Sequence, residues 1–129
     1  MTNLRIPGPT PCADKALEAM SRQMINHRGP EFGAMLQRIT AGVKEVFETK
    51  NDVFILTTSG TGGMETAVVN FLSPGDRVLV VSIGAFGDRF ADIAQTYGAE
   101  VTKLSFDWGT AADSAKLDQA LSEGQGYKA

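Results

Sequence analysis

The segment FILTTSGTGGMETAVVNFL, residues 54–72, changes character twice. An apolar run stops at Thr57, Thr58 and Ser59, crosses Gly60, Thr61, Gly62 and Gly63, and resumes at Met64 with helical spacing. Residues 53–57 form a short continuous apolar run bounded by polar residues, the pattern of a strand buried on both faces. Residues 64–72 read as a helix, stopped by Ser73-Pro74-Gly75-Asp76 with proline and glycine in turn order. The question is what a turn of hydroxyls and glycines between strand and helix is built to hold.

Downstream the alternation continues. RVLVVSI (77–83) predicts a second buried strand, and residues 86–97 predict an amphipathic helix closed by Gly98. EVTKLSF (100–106) alternates more and is expected nearer an edge, residues 113–121 form a last short helix, and SEGQGYKA trails off. Upstream, residues 1–10 are a Pro/Gly-rich arm too dense in proline for a helix or a central strand. Thr10-Pro11 is the expected start of a first helix, with Ala13, Leu17, Met20 and Met24 along one stripe and an end near residues 26–29. Pro30 opens a second helix with Glu31 in its first turn. Phe32, Met35, Leu36, Ile39, Val43, Val46 and Phe47 are its expected buried face. Two helices followed by β-α-β-α-β predict an α/β fold with a parallel, helix-covered sheet.

Composition narrows the function classes. The chain has 129 residues, enough for one ordinary domain, and is 43% apolar and 21% charged, as globular proteins are. A net charge of -3 gives no basic field for nucleic acid or an anionic membrane. No apolar run approaches the ~20 residues of a membrane span, and the N-terminus lacks the apolar core of a signal peptide. The single cysteine, Cys12, has no internal partner, and the chain reads as cytoplasmic. No residue pattern indicates a metal.

Ligands of open α/β sheets sit beyond the carboxyl ends of the strands. Residues 59–63 lie there, at a helix N-terminus whose free N–H groups and dipole favour an anion. Ser59 and Thr61 add hydroxyl donors; the alternative is a strand–helix turn of small residues for close packing. Gly60-Thr61-Gly62-Gly63-Met64-Glu65 breaks the dinucleotide fingerprint at its last glycine, and no lysine completes a Walker loop. Thr57 stands where a serine-hydrolase elbow requires glycine. A single phosphomonoester remains, from FMN, pyridoxal phosphate or a sugar phosphate. Phe86, between Gly84 and Gly87 after the next strand, either stacks on a heteroaromatic ring or begins its helix's core face.

IPGPTP, NHRGPEF, SGTGGMETAVVNFLSPGD and GAFGDR, in this order, resemble the class V pyridoxal-phosphate aminotransferases, with the serine–glyoxylate and alanine–glyoxylate group most similar. The resemblance runs from about Leu4 to Leu121. It implies part of the large domain of a fold type I transferase: residues 1–129 would be the N-terminal arm and first part of that domain. Ser59, Gly60 and Thr61 would hold the phosphate of pyridoxal 5'-phosphate, Phe86 would stack on its ring, and Pro7, Gly8 and Pro9 would border the substrate. Asn26, His27 and Arg28 would lie near the interface of a homodimer or higher oligomer. Glu65, Asp88 and Arg89 are expected to form helix-terminal ion pairs. The implied reaction moves an amino group from serine or alanine to glyoxylate or pyruvate. The family's Schiff-base lysine, pyridinium aspartate and carboxylate-binding arginine come later, so no catalytic residue is assigned here. The first strand would sit apart from the next two, separated by strands encoded later, and is expected to pair directly with 77–83, pair with another chain, or stay exposed.

Two other classes fit the same residues: a small phosphate- or FMN-binding module without catalysis, and an assembly fragment built on the apolar helix faces. The transferase reading predicts that the 129-residue chain alone does not sustain transamination. Lys15, Lys44, Lys50, Lys103, Lys116 and Lys128 are its only lysines, and none has the strand-end, serine-rich setting of the family's lysine. Alanine or serine plus glyoxylate, with added cofactor, should yield glycine no faster than free pyridoxal phosphate does.

Overall fold

The computed structural model describes residues 6, 8–124 and 126–129. The chain divides into two compact units, Met1–Ile55 and Leu56–Ala129.

The first unit holds two helices. α1 spans Asp14–Met20, starting after Ala13 and ending at Ser21, whose hydroxyl donates back to the Glu18 carbonyl at 2.8 Å. It is shorter than the apolar spacing predicts. Thr10-Pro11 is not its cap, and Met24 lies beyond its end, 95% exposed. Local bonds replace the missing turns: the Arg28 N–H donates to Asn26 Oδ1 at 3.0 Å and the Gly29 N–H to the Asn26 carbonyl at 2.9 Å. Such side-chain bonds compete with helix propagation. α2 spans Pro30–Val46 with proline at its start and Glu31 in its first turn, as expected. Its apolar stripe is not buried: Phe32, Met35 and Val43 are half-buried, and Val46 and Phe47 are 81% and 71% exposed. Spacing specifies one apolar face; it does not supply the layer that covers it.

The second unit carries α3 (Gly60–Phe71), β1 (Arg77–Ser82), α4 (Ala85–Thr96), β2 (Glu100–Ser105) and α5 (Ser114–Glu123). β1 and β2 pair in parallel, in register from Arg77 opposite Glu100 to Ser82 opposite Ser105, with α4 as the crossover. β2 is the more exposed strand. α4 runs to Thr96, and Gly98 follows at φ 87°. Residues 53–57, expected as a buried strand, are not one. Phe54, Ile55 and Leu56 are 81%, 53% and 50% exposed. An apolar run becomes a strand only when a neighbour accepts its N–H groups, and no strand lies beside it among the described residues.

The last residues do not trail off. The Lys128 N–H donates to the Arg77 carbonyl at 2.8 Å, and the Leu79 N–H donates to an Ala129 oxygen at 2.9 Å, along the edge of β1 away from β2. Lys128 Nζ reaches Asp76 Oδ2 at 2.6 Å, and Arg77 lies over the Tyr127 ring, 5.4 Å from its centroid.

The core of this unit is small. Val68 of α3, Val78 of β1, Ala94 of α4 and Ala99 are buried together, with Leu72, Val80, Ile93 and Val101 against them. The Tyr97 hydroxyl donates to Glu65 Oε1, tying the end of α4 to α3. Both ends of the β1–α4–β2 crossover therefore depend on one apolar contact centred on Val78. Val78→Ala should lower unfolding stability by about 2 kcal/mol, read as a lower denaturant midpoint at unchanged slope.

Candidate functional site

The site begins where α3 begins. Apolar spacing places the helix from Met64, but its first residue is Gly60, so the glycines form the first turn rather than a loop. Three glycines there cost roughly 1 kcal/mol each in propensity, which hides the turn from any pattern of helix formers. Capping makes it possible. Ser59 is extended, its Oγ accepts from the Gly62 N–H at 3.4 Å, and its carbonyl accepts from the Gly63 N–H at 3.1 Å. A Cβ at Gly62 would fall 1.9 Å from Thr58 Oγ1, so a side chain there would displace the Thr58 hydroxyl. The N–H groups of Gly60 and Thr61 have no acceptor among the described residues, and both residues are exposed.

The second half of the site is the junction of β1 and α4. Ser82, the last residue of β1, is 2% exposed. Its hydroxyl lies 2.8 Å from Asp88 Oδ1, to which it donates, with the Gly84 carbonyl a longer contact at 3.1 Å. Lys103 Nζ of β2 donates to the same Asp88 oxygen at 3.1 Å. These bonds, the one from Ser82 foremost and that from Lys103 next, hold the Asp88 carboxyl below the ordinary aspartate range. A Cβ at Gly87 would sit 2.7 Å from Ser82 Oγ and 2.8 Å from its Cα, so the first turn of α4 lies directly on the strand end. Phe86, next to that contact, faces outward and is 66% exposed.

Arg89 joins the two halves. Its Nη1 donates to Thr61 Oγ1 at 3.3 Å, and its guanidinium carbon lies 5.6 Å from the Phe86 ring centroid. Ser59, Gly60 and Thr61 thus share one turn, and Phe86 is brought to them through one guanidinium. Sequence reading assigned Glu65, Asp88 and Arg89 to helix-terminal ion pairing. Asp88, in the first turn of α4, does form such a pair, with Lys103 of β2. The structure corrects the other two: Arg89 reaches Thr61 of α3, and Glu65 accepts from Tyr97. A signal for the Arg89 contact existed, since positions three apart share a helix face. Lys103 carried none, because its partner lies on another element.

The remaining candidates lie in the first unit. Gly8 and Pro9 are exposed, and Pro7 lies outside the described residues. His27 and Arg28 are exposed beside the Asn26 turn. Among the described residues no cluster of His, Cys, Asp or Glu is placed to hold a metal, and no helix is long and apolar enough to cross a membrane.

A cleft of about 410 Å³ also opens beside α3, β1 and α4, lined by Phe71, Leu72, Val78, Val80 and Phe90. Its walls are apolar and suit packing, not a phosphate. The α3 N-terminus offers the opposite chemistry: two free N–H groups and two hydroxyls on one turn, with a guanidinium reaching it from α4. That donor set fits a phosphate monoester, and the exposed ring joined to it fits a flat aromatic group.

Comparison with known proteins shows the family to which the chain belongs. The family profile described as "Aminotransferase class-V" matches residues 13–128. A soluble hydrogenase 42 kDa subunit of Anabaena cylindrica is 43% identical over 118 residues, which cover 92% of this chain and 31% of that protein. An L-aspartate–glyoxylate aminotransferase of Paracoccus denitrificans is 39% identical over 124 residues, covering 95% of this chain and 31% of the enzyme. Among solved structures, an alanine–glyoxylate aminotransferase from Nostoc sp. superposes with a TM-score of 0.82 at 32% identity, over 95% of this chain and 34% of that one. The chain therefore spans about a third of the length of the relatives it matches.

Asp88 provides a pH test of the junction. A carboxylate whose pKa is lowered by folding contributes stability that is present above its unfolded value of about 3.9 and is lost as pH falls through the lower folded value. Wild type should melt above Asp88→Asn by a constant margin between about pH 5 and 8, and the margin should shrink below about pH 4. Thermal melts across that range check it.

Proposed function

Because the chain belongs to the class V aminotransferase family, we propose that its protein is a pyridoxal-phosphate-dependent transaminase of small amino acids. Serine or alanine is the donor and glyoxylate or pyruvate the acceptor. Glyoxylate is named for both the Paracoccus and the Nostoc enzymes. Residues 1–129 form the N-terminal arm and the first part of the cofactor-binding domain. The observation that carries the reading is the convergence of Ser59, Gly60 and Thr61 with Phe86 around Arg89.

In this reading the Gly60 and Thr61 N–H groups and the Ser59 and Thr61 hydroxyls hold the phosphate of pyridoxal 5'-phosphate. The α3 dipole adds about 0.3–1 kcal/mol, so the direct donors dominate. Phe86 supports the ring by stacking. The bound cofactor supplies an electron sink for charge developing on the amino acid's α-carbon. Pro7, Gly8 and Pro9 border the substrate. A cytoplasmic homodimer or higher oligomer completes the proposal, supported by the exposed free thiol of Cys12 and the exposed apolar stripe of α2.

The protein expressed from its complete reading frame tests this. It should bind pyridoxal phosphate in preference to FMN and transfer the amino group of alanine or serine to glyoxylate. Replacing Ser59 and Thr61 together by alanine should weaken cofactor binding, each lost charge-assisted bond being worth ~1.5–3 kcal/mol. Preference for FMN, no amino transfer, or unchanged cofactor affinity in the double variant would overturn it.

A further inference from the structure

We propose that Arg89 is a positioning residue of this site. It fixes Thr61 and Phe86 in one arrangement and leaves the Thr61 hydroxyl proton free for the bound phosphate, an inference that rests on the reading above. Arg89 sits three residues after Phe86 on α4, so one helix face carries both. From there it donates to Thr61 Oγ1 at 3.3 Å while its guanidinium stays 5.6 Å from the Phe86 centroid.

The direction of that hydrogen bond matters. A guanidinium has only donors, so the threonine oxygen must accept. A hydroxyl that accepts on its lone pair keeps its single proton, and the bond polarises that O–H toward a further acceptor. Thr61 therefore has one of its two lone pairs engaged and its proton still to give. Its own N–H, with that of Gly60, is free beside it.

Charge points the same way. Among the described residues no carboxylate comes within ion-pair distance of Arg89, while the adjacent Asp88 is held by Ser82 and Lys103. The positive charge at the cup is thus not cancelled. Lysine would not reproduce the arrangement, because a planar fork bonds a hydroxyl at its edge while its face lies over a ring, and a compact ammonium has no face to stack.

Cofactor affinity and dichroism separate this role from a merely structural one. The complete protein and its Arg89→Gln, Arg89→Lys and Thr61→Val variants are titrated with pyridoxal phosphate, and the visible circular dichroism of the bound cofactor is recorded. Arg89→Gln should raise the dissociation constant about tenfold and alter the dichroism, because Phe86 loses its support. Arg89→Lys should recover part of the affinity and none of the dichroism, and it carries the same test should the glutamine variant fail to fold. In a Thr61→Val background the glutamine substitution should cost less than in the wild type, since the Thr61 partner is already gone and only the charge and the Phe86 contact are lost. Wild-type affinity and dichroism in the Arg89 variants, or an equal penalty in both backgrounds, would overturn the inference alone. Absence of pyridoxal phosphate binding by the wild type would overturn the functional reading as well.

Discussion

The contact of Gly87 on Ser82 is the constraint from which the site follows. β1 ends in a buried hydroxyl, and the next helix is admitted so closely only because position 87 has no side chain. The hydroxyl then needs an acceptor, and Asp88 provides it from the same turn. Asp88 in turn is a charge that needs compensation, and Lys103 supplies it from β2. One small residue thus fixes the start of α4 against both strands. The backbone positions of Phe86 and Arg89 follow, since both stand on a helix whose first residues are pinned.

The α3 end is arranged by different means. Three of its four first-turn residues are glycine, which weakens the helix, and Ser59 offsets this by capping. The cap uses acceptor capacity only, through the Ser59 Oγ and carbonyl, so the serine proton stays available. At Thr61, likewise, the hydroxyl accepts from Arg89 and spends no proton on the protein. Both hydroxyls are therefore left as donors by bonds made within the protein. Two free protons beside two free N–H groups suit an anion.

Legibility from sequence tracked the range of the interactions involved. α2, α4, α5, β1 and β2 were readable because apolar spacing, proline placement and closing glycines are local. The start of α3 was misplaced because its glycines mask a helix that a capping serine starts. Residues 53–57 were read as a strand from composition, although a strand exists only beside a partner, and Phe54 is 81% exposed. α1 was overextended because Ser21 and Asn26 redirect the backbone with side-chain bonds that spacing does not register. In the site, Ser59, Gly60, Thr61 and Phe86 stood out by type and position. The partners of Arg89 and Lys103 did not, because they lie 28 and 15 residues away on other elements, although Arg89's place on the Phe86 face was readable.

The scale of the donor set also bears on which ligand it serves. A dinucleotide spreads two phosphates over a longer glycine turn, and a nucleoside triphosphate recruits a lysine; neither feature accompanies residues 59–63. Two N–H groups and two hydroxyls on one turn match the exposed oxygens of a single terminal phosphate, and the guanidinium supplies the charge that neutral donors lack. The same guanidinium lies over an aromatic ring whose surface remains two-thirds exposed, at 66%. A phosphate joined to a flat heteroaromatic ring engages both features at once, whereas a sugar phosphate would leave Phe86 without a flat partner. Of the monoesters that the glycine turn alone would accept, the proposed cofactor is of the kind that would use both the turn and the ring.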